Sequence, residues 1–227
     1  MNRIVLLGCA VLLVGCESIS TSSASRAEQR RLKALREAAA VEHELYRSTP
    51  NWRKVTFRNE EVLAQATPDN TTVEISLREQ RGFLLVDGAV AMDFAVATGK
   101  KSHPTPAGSY TILDKKQTYA SNLYGKIFDA EGALVNSDAD IRADPVPEGG
   151  KFVGSSMPYW MRLTNTGVGL HVGYVPGRPA SHGCIRLQNK VAQQLFQLTK
   201  VGTPVVIAEE APTLAAQALP KKRSRER

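Results

Sequence analysis

Cysteine is scarce in this chain: three in 227 residues, at positions 9, 16 and 184. Two of them crowd into the first sixteen residues, so Cys184 has no partner for a structural disulfide in the rest of the chain. No CxxC pair and no HExxH motif occurs, and no fourth donor accompanies His171, His182 and Cys184, which leaves a closed zinc site short of ligands. Long apolar runs are missing too. Residues 4–14 fall well below the roughly 20 residues that cross a bilayer, which argues for an export signal rather than a membrane-spanning helix. Acidic residues are outnumbered, 22 against 29 basic, for a formal net charge of +7. That excess invites a nucleic-acid reading, but no nucleic-acid motif is present. An exported chain would instead meet anionic wall polymers or lipid headgroups; a plain soluble basic tail is the other reading.

What is present concentrates between residues 167 and 187. Gly167, Gly169 and His171 read as a short strand entered through a glycine turn, and Pro176-Gly177-Arg178-Pro179 can only be a loop. Ser181-His182-Gly183-Cys184-Ile185-Arg186-Leu187 follows, so the chain doubles back and His171 and Cys184 can meet. A cysteine attacks as its thiolate, which an adjacent imidazole stabilises by taking the proton and holding the ion pair. Gly183 lets the backbone take a tight, left-handed conformation beside the sulfur, and consecutive amides there would point at a developing oxyanion. Arg186 adds a fixed charge suited to a substrate carboxylate. The plain alternatives are a buried, inert thiol and a satisfied core histidine. Against them stands the crowding of two histidines, a glycine and a Pro/Gly loop around one cysteine.

These residues carry a family resemblance. His171 followed by Ser181-His182-Gly183-Cys184-Ile185-Arg186 resembles the active-site signature of the L,D-transpeptidases, the YkuD-type catalytic domain of bacterial cell-wall enzymes. The similarity extends upstream through Phe94-Ala95-Val96-Ala97-Thr98-Gly99 and Thr105-Pro106-Ala107-Gly108-Ser109-Tyr110, and covers residues 71–209. It implies a mostly β, β-sandwich-like catalytic domain with one main α-helix, acting on peptidoglycan stem peptides with no cofactor and no metal. It implies that Cys184 attacks the carbonyl between the diamino acid at stem position three and the terminal D-alanine, forming a thioester as D-alanine leaves. His171 would be the base, and the Gly183 and Cys184 amides would hold the oxyanion. Ser181, His182 and Arg186 would shape the site and bind substrate, and Tyr159, by position, would line the donor site. An amine acceptor gives cross-linking or remodelling, whereas water gives L,D-carboxypeptidation. A non-enzymatic wall-binding lipoprotein that keeps the fold is the rival of a different class.

In chain order, residues 1–15 read as a signal peptide, with Arg3 ahead of the apolar run. Leu13-Val14-Gly15-Cys16 resembles a bacterial lipobox, in which Cys16 would carry the lipid and become the mature N-terminus. The expected product is a lipoprotein facing the periplasm from the inner or outer membrane, with Cys184 as its one free thiol in an oxidising compartment. Ser-rich residues 16–25 predict a flexible tether, and residues 26–48 a helical spacer, solvated, with a thin apolar stripe at Leu32, Leu35, Ala39 and Leu45. Residues 49–70 form a lead-in whose Trp52 and Phe57 dock on the catalytic domain, residues 71–209. Residues 210–227 form a disordered basic tail.

Within the domain, Val73, Ile75 and Leu77 alternate, residues 82–86 follow, and Asp87-Gly88 leads into residues 89–97, a β-meander pattern. Residues 109–113, 158–163 and 205–208 predict further strands. Asn189 caps the one convincing helix, with Val191, Leu195 and Leu198 on one face. Residues 115–157 are polar and Gly-rich with little periodicity, and predict a long loop serving as lid or groove wall, with Tyr119, Tyr124 and Phe128 as substrate contacts or loop anchors.

Overall fold

β-Branched and aromatic residues around one Asp-Gly turn build the meander that the alternation predicts. The computed structural model describes residues 17–212, with side chains described from residue 25. The expected signal peptide, Cys16 and its lipid, and the basic tail from residue 213 lie outside the described residues. A helix α1 (Glu17–Arg47), a short strand β1 (Phe57–Arg58) and a single helical turn α2 (Glu60–Leu63) precede the meander of β2 (Thr71–Ser76), β3 (Arg81–Val86) and β4 (Ala89–Ala97). Asp87 at φ 49° and Gly88 at φ 79° make the two-residue connection whose twist matches that of the flanking strands. All six residues of β3 are buried, so both its faces are covered.

The chain continues through β5 (Gly108–Thr111), β6 (Asp114–Lys116), β7 (Ala120–Phe128), β8 (Leu134–Asp140), β9 (Lys151–Ser156), β10 (Trp160–Arg162), β11 (Gly169–Val172), β12 (Ile185–Leu187), α3 (Asn189–Leu198) and β13 (Pro204–Ala208). Ten strands form the main sheet, ordered β5-β13-β2-β3-β4-β12-β11-β10-β6 with β1 on β4. β5 and β6 stand at opposite ends of that order, yet only Ile112 and Leu113 separate them in sequence, so the sheet curls until its ends nearly meet. The Ile112 N–H donates to the Thr203 carbonyl at 3.0 Å and the Leu113 N–H to the Arg162 carbonyl at 2.8 Å, the corner of a strand that changes layers. Phe94, Val96, Leu170, Ile185 and Leu195 fill the space between the layers. The expected mostly β, sandwich-like domain with one main helix is what forms. That helix, α3, buries Val191, Ala192 and Leu195; Asn189 is its first helical residue, and Gln188, without a side-chain cap bond, precedes it.

Three expectations fail. The segment expected to be a flexible tether from residue 17 to 25 is helical backbone, and the helix continues unbroken to Arg47. Its C-terminal half is no solvated spacer. Ala39 and Ala40 are buried, and their small side chains let the helix approach β4 closely enough to bury His43 as well. Residues 115–157 are not a structureless loop. β7 pairs with β8 and with β9 in a three-stranded antiparallel sheet, interrupted by register shifts that conceal the alternation expected of strands.

The helix is bound to the sheet by charge. Asp93 on β4 is fully buried and receives His43 Nε2 at 2.8 Å, Arg81 Nε at 2.6 Å and Arg47 Nε at 3.2 Å. Burial pushes this carboxyl up, but the His43 hydrogen bond and the two guanidiniums more than offset that and hold it below its ordinary value. Tyr46 Oη accepts from Arg81 Nη2 at 2.9 Å and donates to the Val55 carbonyl at 2.7 Å, and Arg47 stacks over Trp52. Trp52 and Phe57 therefore dock, as the sequence predicts. Replacing Arg81 with Met leaves Asp93 buried with one guanidinium fewer, and is expected to lower stability by about 3–5 kcal/mol in urea unfolding. A loss under about 1 kcal/mol would show that the network contributes little.

Candidate active site

Three strands and one turn assemble the site. β11 and β12 run parallel, with Leu170 against Ile185 and His171 against Arg186, which sets Cys184 beside Gly169 and two residues from His171. Strand alternation decides what each side chain faces. Ile185 and Leu187 enter the core, so Arg186 between them turns to the other face; Leu170 enters the core, so His171 turns the same way. Met161 does likewise on β10, leaving Trp160 and Arg162 beside them. Over this face lies a cavity of about 290 Å³, roofed by Tyr119, Tyr124 and Asp138 of the small sheet and its lead-in and lined below by Trp160, His171, His182, Cys184 and Arg186.

The turn carrying Cys184 hangs from the end of β4. Thr98 O accepts the Ala180 N–H at 2.8 Å and the Ser181 N–H at 3.0 Å, and the Lys100 N–H donates to the Ser181 carbonyl at 2.9 Å. Thr105 Oγ1 accepts the Gly99 N–H at 2.8 Å and donates to the Gly183 carbonyl at 2.7 Å. The upstream Thr-Pro-x-Gly motif is thus a clamp on the Cys184 turn. Gly183 takes φ 111°, a conformation L side chains rarely adopt, as the sequence predicts. Gly99 is required for another reason: a Cβ there would lie 2.0 Å from the His103 carbonyl oxygen.

Several expected roles move. The Ser181 hydroxyl accepts the Gly183 N–H at 3.1 Å and donates to the Cys184 carbonyl at 2.5 Å, so it is committed to the turn rather than to a ligand. That bond also occupies the Gly183 amide, one of the two expected oxyanion donors. The Cys184 N–H has no hydrogen-bond partner among the described residues and stays open. Tyr159 points away from the cavity: its hydroxyl accepts from Gln193 Nε2 at 2.9 Å and its ring packs edge-on against Phe196 of α3. His182 stacks on Tyr124 with ring centroids 4.4 Å apart, and its Nε2 lies 3.6 Å from Asp138 Oδ1. Tyr119, part of the roof, stacks on Trp160, whereas Phe128 is not among the lining residues. Thr105 stood in a motif without a role, while Asp138 and Arg162 belong to no motif and only the fold brings them here.

His171 Nδ1 lies 2.7 Å from the Val172 carbonyl, so the neutral ring donates there and keeps its Nε2 lone pair free. Burial, reinforced by the Arg186 charge, pushes its pKa down to about 4 against the pull of that hydrogen bond. Burial pushes the Cys184 thiol up, only partly offset by the Gly169 N–H and the Arg186 charge. The thiol donates to the Gly167 carbonyl at 3.5 Å, and among the described residues no hydrogen bond joins it to His171. Both shifts favour a neutral thiol and a neutral imidazole over the ion pair expected from the sequence. Arg186 has no acidic partner among the described residues, which leaves its charge for a ligand.

The model of the L,D-transpeptidase catalytic domain family, YkuD, matches residues 70–207. The chain belongs to that family. Among curated relatives, "Probable L,D-transpeptidase 3" of Mycobacterium tuberculosis is 30% identical over 116 residues, covering 49% of this chain and 36% of the relative. YqjB of Bacillus subtilis, provisionally named an L,D-transpeptidase, is 27% identical over 149 residues, covering 63% of this chain and 74% of its own. The chain thus spans about a third of the first relative and about three quarters of the second. A solved L,D-transpeptidase from Mycobacterium smegmatis is similar with a TM-score of 0.48 at 22% identity, covering 61% of this chain and 58% of that one. Of the signature of this L,D-transpeptidase domain, His171, Ser181, His182, Cys184 and Arg186 line the cavity described above, while Ile185 lies in the core.

Two outcomes follow from this geometry. Iodoacetamide should alkylate Cys184 of the free protein with a midpoint above pH 9.0, the ordinary thiol value; a midpoint below about 7 would mean a preformed ion pair. Thr105→Val removes both bonds of the clamp and should cost about 1–3 kcal/mol in chemical unfolding while slowing Cys184 acylation; unchanged values in both would remove the clamp from the account.

Proposed function

We propose that this protein is a peptidoglycan L,D-transpeptidase working through a cysteine thioester. Cys184 Sγ attacks the carbonyl between the diamino acid at stem position three and the terminal D-alanine. His171 Nε2 takes the thiol proton as the C–S bond forms, and returns it to the D-alanine nitrogen as the C–N bond breaks. D-Alanine leaves and an acyl-enzyme remains. An acceptor amine then gives its proton to His171 and attacks the thioester, which restores the thiol and forms the cross-link or attachment. The open Cys184 N–H stabilises the oxyanion in both halves, and Arg186 binds the terminal carboxylate of the donor. Because the resting pair is neutral, proton transfer accompanies attack rather than preceding it.

The observation that carries this reading is one cavity lined by an unpaired thiol, a buried neutral imidazole and a guanidinium without an acidic partner, in a domain of this family. In our reading the protein is lipidated at Cys16 and faces the periplasm from the inner or outer membrane, with its basic residues near anionic headgroups or wall polymers.

Incubation with a stem tetrapeptide and an amine acceptor is expected to release D-alanine and yield the transfer product; D-alanine release with only the free tripeptide would indicate hydrolysis instead. Cys184→Ala should give neither product nor a mass adduct with donor, and a cross-link formed by that variant would end the nucleophile assignment. The rate of Cys184 acylation, read as D-alanine release in a single turnover, should be nearly flat from about pH 5 to 8, because His171 stays neutral until pH falls toward its value of about 4. A fall in rate centred near pH 6.5 would instead describe an imidazole unshifted by burial.

A further inference from the structure

Arg162 takes no part in the chemistry just described, yet it lines the same cavity. It ends β10 directly opposite Gly169, the residue whose N–H lies beside the Cys184 sulfur, so it approaches the reacting atoms from the flank of β11 opposite Arg186. Its Nε is buried without a hydrogen-bond partner, and no acidic side chain lies within ion-pair distance of it among the described residues. Asp114, its cross-strand neighbour on β6, pairs instead with Lys116 at 3.5 Å. The other charges around the cavity are engaged. Asp138 faces Lys100 at 3.3 Å and His182 at 3.6 Å, and Arg142 is held by Asp140 at 2.6 Å. Two guanidiniums without acidic partners thus flank the strand that carries the base.

A buried N–H left unpaired is costly, and it persists where a ligand completes it. A guanidinium matches a carboxylate with parallel bonds, whereas a primary amide offers one acceptor and turns N–H groups toward the donors. We propose that Arg162 is a specificity-determining residue for the acyl donor, selecting a diamino acid whose side chain ends in a free carboxylate over one ending in an amide. This rests on the reading of the site as a stem-peptide donor site. Arg186 takes the carboxylate of the terminal D-alanine and Arg162 the second one, so the preferred donor carries two anionic groups about the scissile bond.

Binding to Cys184→Ala protein tests this without depending on turnover. Two synthetic stem tetrapeptides, identical except for a free carboxylate or a primary amide on the diamino acid's side chain, are titrated calorimetrically. The free acid is expected to bind roughly ten- to a hundred-fold more tightly. Adding Arg162→Gln should bring the two affinities within about threefold of each other, and Arg162→Lys should restore part of the difference. Equal binding by the Cys184→Ala protein, absence of binding, or a preference that survives Arg162→Gln overturns the assignment. A preference present in this background alongside a wild-type Cys184 that never becomes acylated would sustain the role of Arg162 and defeat the acyl-transfer mechanism instead.

Discussion

The hydrogen bonds that β4 extends beyond its last residue hold the Cys184 turn in place. Thr98, Gly99 and Lys100 carry the strand's pairing into Ala180 and Ser181, and Thr105 joins Gly99 to Gly183. β4 can do this because it is fixed along its length, between β3 and β12 with β1 and α1 against it. Gln80 completes the support: its side-chain oxygen accepts the Thr98 N–H at 3.0 Å and its Nε2 donates to Thr98 Oγ1 at 2.7 Å. The Asp93 network thus secures the same strand that suspends the reactive turn, linking helix docking to the geometry of the site.

Burial sets the chemistry as much as proximity does. The apolar surroundings that position His171 also keep it uncharged, and those around Cys184 keep it a thiol. Neither group spends energy on a charge before substrate arrives. The positive charge in the cavity belongs to arginines, whose planar guanidiniums suit carboxylates. In the proposed reaction, ligand recognition falls to the arginines and proton transfer to His171 and Cys184, which burial biases toward their neutral forms.

What could be read from the chain was what short-range chemistry dictates. Gly183 announced its unusual backbone, Asp87-Gly88 its hairpin, and the spacing of Val191 and Leu195 the helix face. The docking of α1 could not be read, because Ala39 and Ala40 look like generic helix formers until β4 is opposite them. The small sheet was concealed by its own composition: Gly125 and Gly154, with neighbouring Ser, Asn and Asp, look like loop residues. Gly125 is glycine because a Cβ would lie 2.2 Å from the Val153 carbonyl oxygen on the paired strand. The occupation of the Gly183 amide by Ser181, and the turning of Tyr159 toward α3, depend on rotamers that no spacing encodes.

The small sheet enters and leaves the domain at neighbouring points. β6 ends at Lys116 and β10 begins at Trp160, and these two residues are paired across adjacent antiparallel strands. Residues 120–156 between them are an excursion from one hairpin, whereas Pro158 and Tyr159 are already tied to β11 and α3. The length and sequence of that excursion can drift without disturbing the register of β10, β11 and β12 or the clamp on the Cys184 turn, so the roof of the cavity can be remodelled while the floor that carries His171, Cys184 and Arg186 stays as it is.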